Sequence, residues 1–69
     1  MSYKAYSLTA QYTKIYFRVD EVARYFSISK MTIYRLIASD ELKGVRIREA
    51  IRIHRNDLEK YERRIRRER

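Results

Sequence analysis

Two groups of side chains in this sequence are of types and spacing that could do chemistry, and a third position tests whether that chemistry is catalytic. Ser29, Lys30, Thr32, Tyr34 and Arg35 put two cations and three hydroxyls within seven positions. Arg46, Arg48 and Arg52 recur on one phase among Val45, Ile47, Ile51 and Ile53. His54 is the single histidine; with no partner pattern around it, it reads as a structural residue or a phosphate contact rather than a proton-transfer catalyst. The acids are dispersed without metal-ligand spacing. There is no cysteine, and Gly44 is the sole glycine, which removes thiolate zinc sites, thiol nucleophiles, disulfide staples and glycine-rich phosphate loops together. The chain therefore reads as a non-enzyme with no catalytic residue, metal or cofactor, and its chemistry is recognition of an anion by cations and hydrogen-bond donors.

Size and charge agree with that. A chain of 69 residues is one domain, and at this size only roughly 60% of the unfolded surface is buried, so the core is marginal and a catalytic cleft is hard to build. Formal net charge is +8. Counted along the chain, residues 1–17 carry two lysines and no acid, residues 18–44 five basic and four acidic groups, and residues 45–69 ten and five, so the excess follows residue 44. A polyanion is the natural partner of such a bias, because displaced counterions favour association with phosphate backbones; a solvated basic surface is the bland account of the same charge.

The elements that must position these side chains follow from periodicity. Val22, Ala23 and Phe26 recur at helical spacing, as do Ile33, Leu36 and Ile37 after a break at residues 27–29. Two short helices joined by a tight turn must face one core. Ala23 is small where their backbones approach, and Ile28 is expected to plug the space between them. Ser29 caps the second helix, whose outer side then shows Lys30, Met31, Thr32, Tyr34 and Arg35. This is a helix-turn-helix with a cationic, hydrogen-bonding outer face, and a helix of this diameter fits the DNA major groove.

After Leu42 the period changes to two. Lys43 and Gly44 signal a turn, and a hairpin is expected around Arg48, Glu49 and Ala50, with Val45, Ile47, Ile51 and Ile53 on an inner aliphatic face and the arginines outside. Such a pair is marginal alone, so it should pack on the helices, joined by a strand at residues 15–17. A hairpin beside a recognition helix is a wing, whose arginines would straddle phosphates or enter the minor groove. Asn56 with Glu59 is expected to open a third helix, with Leu58, Tyr61 and Ile65 as its apolar stripe. Arginine repulsion should fray its end in the absence of DNA. Residues 1–14 have no clear period and read as a mobile arm, leaving 15–69 as the folded domain. Arg24, Lys43, His54 and Arg55 are further phosphate-contact candidates.

The order DEVARYF, SISKMTIYRLI, EL, VRI, IRI and RNDLEKY resembles the excisionase-type, MerR-like winged helix-turn-helix proteins, from about residue 16 to 61. The resemblance implies an α+β fold, mainly helical with a small β-hairpin, that binds double-stranded DNA. It places the second helix in the major groove and the wing on the adjacent minor groove or backbone. Members act as excisionases that steer a phage or transposon integrase, or as small transcription regulators binding along direct repeats. Carried over by position, Ser29, Lys30, Thr32, Tyr34 and Arg35 face the groove, and Arg46, Arg48 and Arg52 belong to the wing. Four departures stand out. Arg18 occupies the usual Ser or Thr cap, so Asp20 is expected to cap a helix that starts slightly later. Ser27 and Asp40 stand at turn glycines and are expected to need a left-handed backbone, at about 1 kcal/mol each. The wing turn lacks its glycine, and Ile51 replaces a common aromatic.

The partners implied are double-stranded DNA and, through the resemblance, an integrase or neighbouring copies on DNA; no small-molecule substrate is implied. The main rival is a protein-interaction module whose basic C-terminal helix docks on an acidic partner such as an integrase. RNA fits less well, since a major-groove helix cannot enter an A-form duplex. Membrane-surface binding fails because Ile65 is nearly the only apolar anchor of the tail. The absence of a long apolar run or a signal-like N-terminus leads to an expected cytoplasmic, nucleoid-associated location.

Overall fold

The computed structural model describes residues 15–67; the arm expected at 1–14 lies outside the described residues. Strand β1 (Tyr16–Arg18) leads into helix α1 (Val19–Phe26), then α2 (Lys30–Ala38), strands β2 (Val45–Ile47) and β3 (Ala50–His54), and helix α3 (Arg55–Arg67). The strands form one antiparallel sheet in the order β1-β3-β2. The strand expected at 15–17 thus forms one residue later, and it borrows its partner from the hairpin. Phe17, Val19, Val22, Ala23, Ile33, Leu42, Ile53 and Leu58 make the core. It is an α+β fold, helix-turn-helix plus hairpin, as the residue pattern predicts.

The exits from α1 and α2 use one device. Ser27 is left-handed at φ 60°, and the amides of Ser27 and Ile28 donate back to the carbonyls of Arg24 and Ala23 at 3.1 and 3.0 Å. Asp40 is left-handed at φ 64°, with the amides of Asp40 and Glu41 donating to Ile37 and Leu36 at 3.1 and 2.9 Å. These are Schellman closures built without the usual glycine. The first one corrects the expectation for Ile28. Its backbone closes α1 while its side chain is 41% exposed, so the space between the helices is filled by Ala23 and Ile33.

Two helix starts also differ from expectation. α1 begins at Val19 with Arg18 at the cap position; the Glu21 carboxylate accepts from the Arg18 amide at 2.9 Å. Asp20 does not cap. It takes two hydrogen bonds from the Arg18 guanidinium, at 3.0 and 2.8 Å. α3 begins at Arg55, one residue before the expected cap, because the Nδ1 atom of His54 accepts from the Asn56 amide at 3.0 Å. Asn56 therefore lies inside the first turn.

The hairpin is folded around two residues, not three. Ile47 pairs with Ala50, Arg46 with Ile51 and Val45 with Arg52. Paired residues share a face of the sheet, and a two-residue loop pairs positions of opposite parity. Val45 and Ile47 therefore stand with Arg52, and Arg46 stands with Ile51. The single aliphatic face expected of all four residues does not exist. Only Ile51 and Ile53 point toward the core, and Ile47 is 46% exposed. Arg48 is no strand residue but the first of the two loop residues, at φ 58°, where hairpins usually carry glycine. Gly44 lets this hairpin approach α2. A Cβ there would meet the Ile37 Cγ2 at 3.0 Å and the Ile51 Cγ2 at 3.4 Å.

α3 buries Leu58, packs Tyr61 against the core, and places Glu62 where a fourth apolar residue was open to it. Glu62 is 8% exposed and accepts from the Tyr25 hydroxyl at 2.8 Å. Tyr61 also meets Phe26 edge to face, with ring centroids 6.1 Å apart, and carries the Arg64 guanidinium at 5.4 Å. Arg64 donates to the Glu41 carbonyl at 2.8 Å. The helix runs to Arg67, the last described residue. Besides these tethers, Glu59 and Glu62 stand four residues before Arg63 and Arg66, the favourable order for such pairs.

Candidate nucleic-acid interface

The site is built outward from Ser29. Its hydroxyl accepts from the Thr32 amide at 3.1 Å, which satisfies a free donor of the first turn. It lies 3.0 Å from the Thr32 hydroxyl, so the two hydroxyls of the candidate set hold each other. With the start of α2 fixed, Ile33 points into the core and Leu36 and Ile37 pack at its edge. Helical geometry then sends Lys30, Met31, Tyr34 and Arg35 outward, and all four are exposed; Thr32 is half-buried.

Beside α2 the hairpin completes a groove of about 430 Å³. Lys30 and Tyr34 line it from α2, and Arg46, Glu49 and Arg52 line it from the hairpin, although Arg46 and Arg52 occupy opposite faces of the sheet. Arg18 and Asp20 close its third side. Four cations from three elements thus share a concavity with two acids. The acids are not equivalent. The Arg18 guanidinium holds the Asp20 carboxyl down to about 2 from an ordinary 3.8, through its hydrogen bonds first and its charge as well. Asp20 in turn raises the Arg18 guanidinium. The pair is locally neutralised. Arg52 donates to its neighbouring Ile51 carbonyl at 3.0 Å, which folds its side chain along the strand.

The remaining candidates scatter. Arg48 stands at the hairpin tip. Arg35 is exposed on the last turn of α2 and Arg24 on α1. The His54 ring packs edge to face on Tyr16, with centroids 5.0 Å apart, while capping α3. The Arg55 amide donates to the Ile15 carbonyl at 2.7 Å. Lys43 lines a different groove, of about 340 Å³, with Asp40, Asp57, Lys60, Arg63 and Arg67 around it. Sequence reasoning missed Arg18, Asp20 and Glu49 as parts of the α2 groove. An Arg with an acid two positions on, at the strand-to-helix junction, was the available signal for the first two. It also missed Glu62, whose helical spacing from Leu58 marks the buried stripe.

Residues 16–67 match the helix-turn-helix domain family. The chain belongs to that family. Two Mycobacterium tuberculosis proteins, from strains CDC 1551 / Oshkosh and ATCC 25618 / H37Rv, are each 47% identical over 36 residues, or 52% of this chain and 46% of theirs; each bears the name "Putative DNA-binding protein". The chain spans about half the length of the curated relatives it matches. No solved structure matches it. Among the described residues of this helix-turn-helix chain, no group of three or more His, Asp or Glu is placed to hold a metal ion. No helix among them is long and apolar enough to cross a membrane.

Proposed function

We propose that this chain binds double-stranded DNA sequence-specifically, as an excisionase-type, MerR-like winged helix-turn-helix protein. In this reading α2 lies in the major groove, with Ser29, Lys30, Thr32, Tyr34 and Arg35 toward it, and the hairpin lies on the adjacent minor groove or backbone through Arg46, Arg48 and Arg52. Arg24, Lys43, His54 and Arg55 are proposed as phosphate contacts. The observation that carries the reading is the shared groove, because Lys30 and Tyr34 of α2 and Arg46 and Arg52 of the hairpin border one concavity. A phosphate rail running past α2 would meet cations from both.

Membership in a helix-turn-helix family and relatives named for DNA binding support the same ligand. The proposed role is that of an excisionase acting with an integrase, or of a transcription regulator, inside the cytoplasm and on the nucleoid. Both roles use these contacts, and a gel assay for DNA bending and multiple bound copies separates them. The decisive measurement is binding to duplex across a salt series. Six phosphate contacts give a log-log slope of about −5; no duplex binding at low salt overturns the proposal. A second reading has its own observation, the cationic groove along α3. There the basic helix docks on an acidic protein such as an integrase, and that reading survives if duplex binding fails.

A further inference from the structure

The outer side of α2 is cationic and hydrogen-bonding with one exception. Met31 is 59% exposed, the most exposed large apolar side chain among the described residues. The core does not use it, because Ile33 fills the interior from the same helix. It stands at the second position of α2, in the turn from which a recognition helix brings side chains to base edges. Ile28, three residues earlier, is exposed as well.

An apolar side chain in that place has one apolar counterpart in a duplex. In the major groove every base edge presents ring nitrogens, carbonyl oxygens or amino groups, and thymine alone adds a C5 methyl group. The thioether chain is unbranched and adapts its shape to such a contact. Lys30 and Arg35, charged and two or more atoms longer than a hydroxyl side chain, reach polar atoms and phosphate; they gain nothing from a methyl.

We propose that Met31 is a specificity-determining residue, selecting thymine at one position of the target by packing on its C5 methyl group, with Ile28 flanking the contact. The assignment rests on the DNA-binding reading above and deepens it.

The test uses the full chain and duplexes it selects from a random pool. Thymines in a selected duplex are replaced one at a time by deoxyuridine, which deletes the methyl group and keeps every hydrogen-bonding atom. The wild-type protein is expected to lose about four-fold in affinity at one position, the worth of one buried methyl group. Met31→Ala and Met31→Gln, at an exposed site, are expected to keep the fold and the salt slope while losing that sensitivity. With that thymine changed to cytosine, methylation of the cytosine at C5 should strengthen wild-type binding and leave both variants unmoved. A flat deoxyuridine scan, or a sensitive position that persists in both variants, overturns the assignment with DNA binding intact. A pool that yields no bound duplex overturns the DNA-binding reading instead, and this assignment with it.

Discussion

Two basic grooves lie on this small molecule, and they are assembled differently. The groove beside α2 collects its cations from the end of β1, from α2 and from the hairpin, so it exists only when these are folded together. The groove along α3 draws Lys60, Arg63, Arg64 and Arg67 from one helix and adds Lys43 from the loop between α2 and β2, interleaved with Asp40, Glu41 and Asp57. A cation set gathered by tertiary structure has fixed spacing and suits a ligand of fixed geometry. A stripe carried on a single helix suits a ligand that adapts to it.

The largest effect is expected at Arg35, exposed on the outer face of α2 and outside both grooves. Arg35→Ala is expected to cost about 1–3 kcal/mol on a selected site and little on random duplex. Equal losses on both would demote it to a phosphate contact. Gly44→Ala tests whether the α2 groove depends on the approach of the hairpin. A Cβ at 3.0 Å from Ile37 should lower stability in urea by about 1–2 kcal/mol, since overpacking forces neighbours off their rotamers.

The two grooves are then set against each other. Arg46→Ala, in the α2 groove, is expected to weaken binding to all sequences alike and to lower the salt slope by about 0.9, one phosphate's share. Arg63→Ala should leave the slope unchanged, and a matching drop would mean that the α3 groove holds the duplex too. Asp40→Gly removes an acid from the α3 groove and relieves a left-handed residue. Thermal denaturation should show a gain of about 1 kcal/mol; no gain would mean that the Asp40 turn is not strained.

The smallest effect belongs to Asp20, which is exposed to solvent. Its carboxyl is depressed to about 2 in the folded chain against an ordinary 3.8, so its contribution is complete above that ordinary value and disappears as pH falls through about 2. Asp20→Asn should flatten the acid limb of the stability profile across that interval. An acid limb identical to the wild type would remove the Arg18 pair from the account of the α2 groove.

The helices, the Ser29 cap and the left-handed turns at Ser27 and Asp40 were legible because each rests on contacts within a few residues. What was not legible depended on counting across space. Alternation fixed which residues of β2 go together and which of β3 go together, but joining the two sets requires the loop length, and Ala50 belongs to the strand rather than the turn. Ile28 looked like a plug because an apolar residue in a turn usually is one; the Schellman closure at Ser27 turns it outward. His54 and Asn56 could each have capped α3, and only the start of the helix decides between them. The place of Glu62 in the buried stripe follows from spacing, whereas its partner Tyr25 is 37 residues away.

The hairpin's brevity has a consequence for how such a chain can change. With positions 48 and 49 alone at the tip, Arg46 lies on the side of Ile51, and the neighbouring aliphatics are turned away. A one-residue slip of β2 along β3, drawing Ala50 into the tip, would exchange the two: Val45 and Ile47 would swing over to join Ile51 and Ile53, and Arg46 would depart. A substitution at the tip that favours a three-residue loop would thus trade a charged flank for a greasy one, making the tip a place where the protein could acquire a new preference in one mutational step.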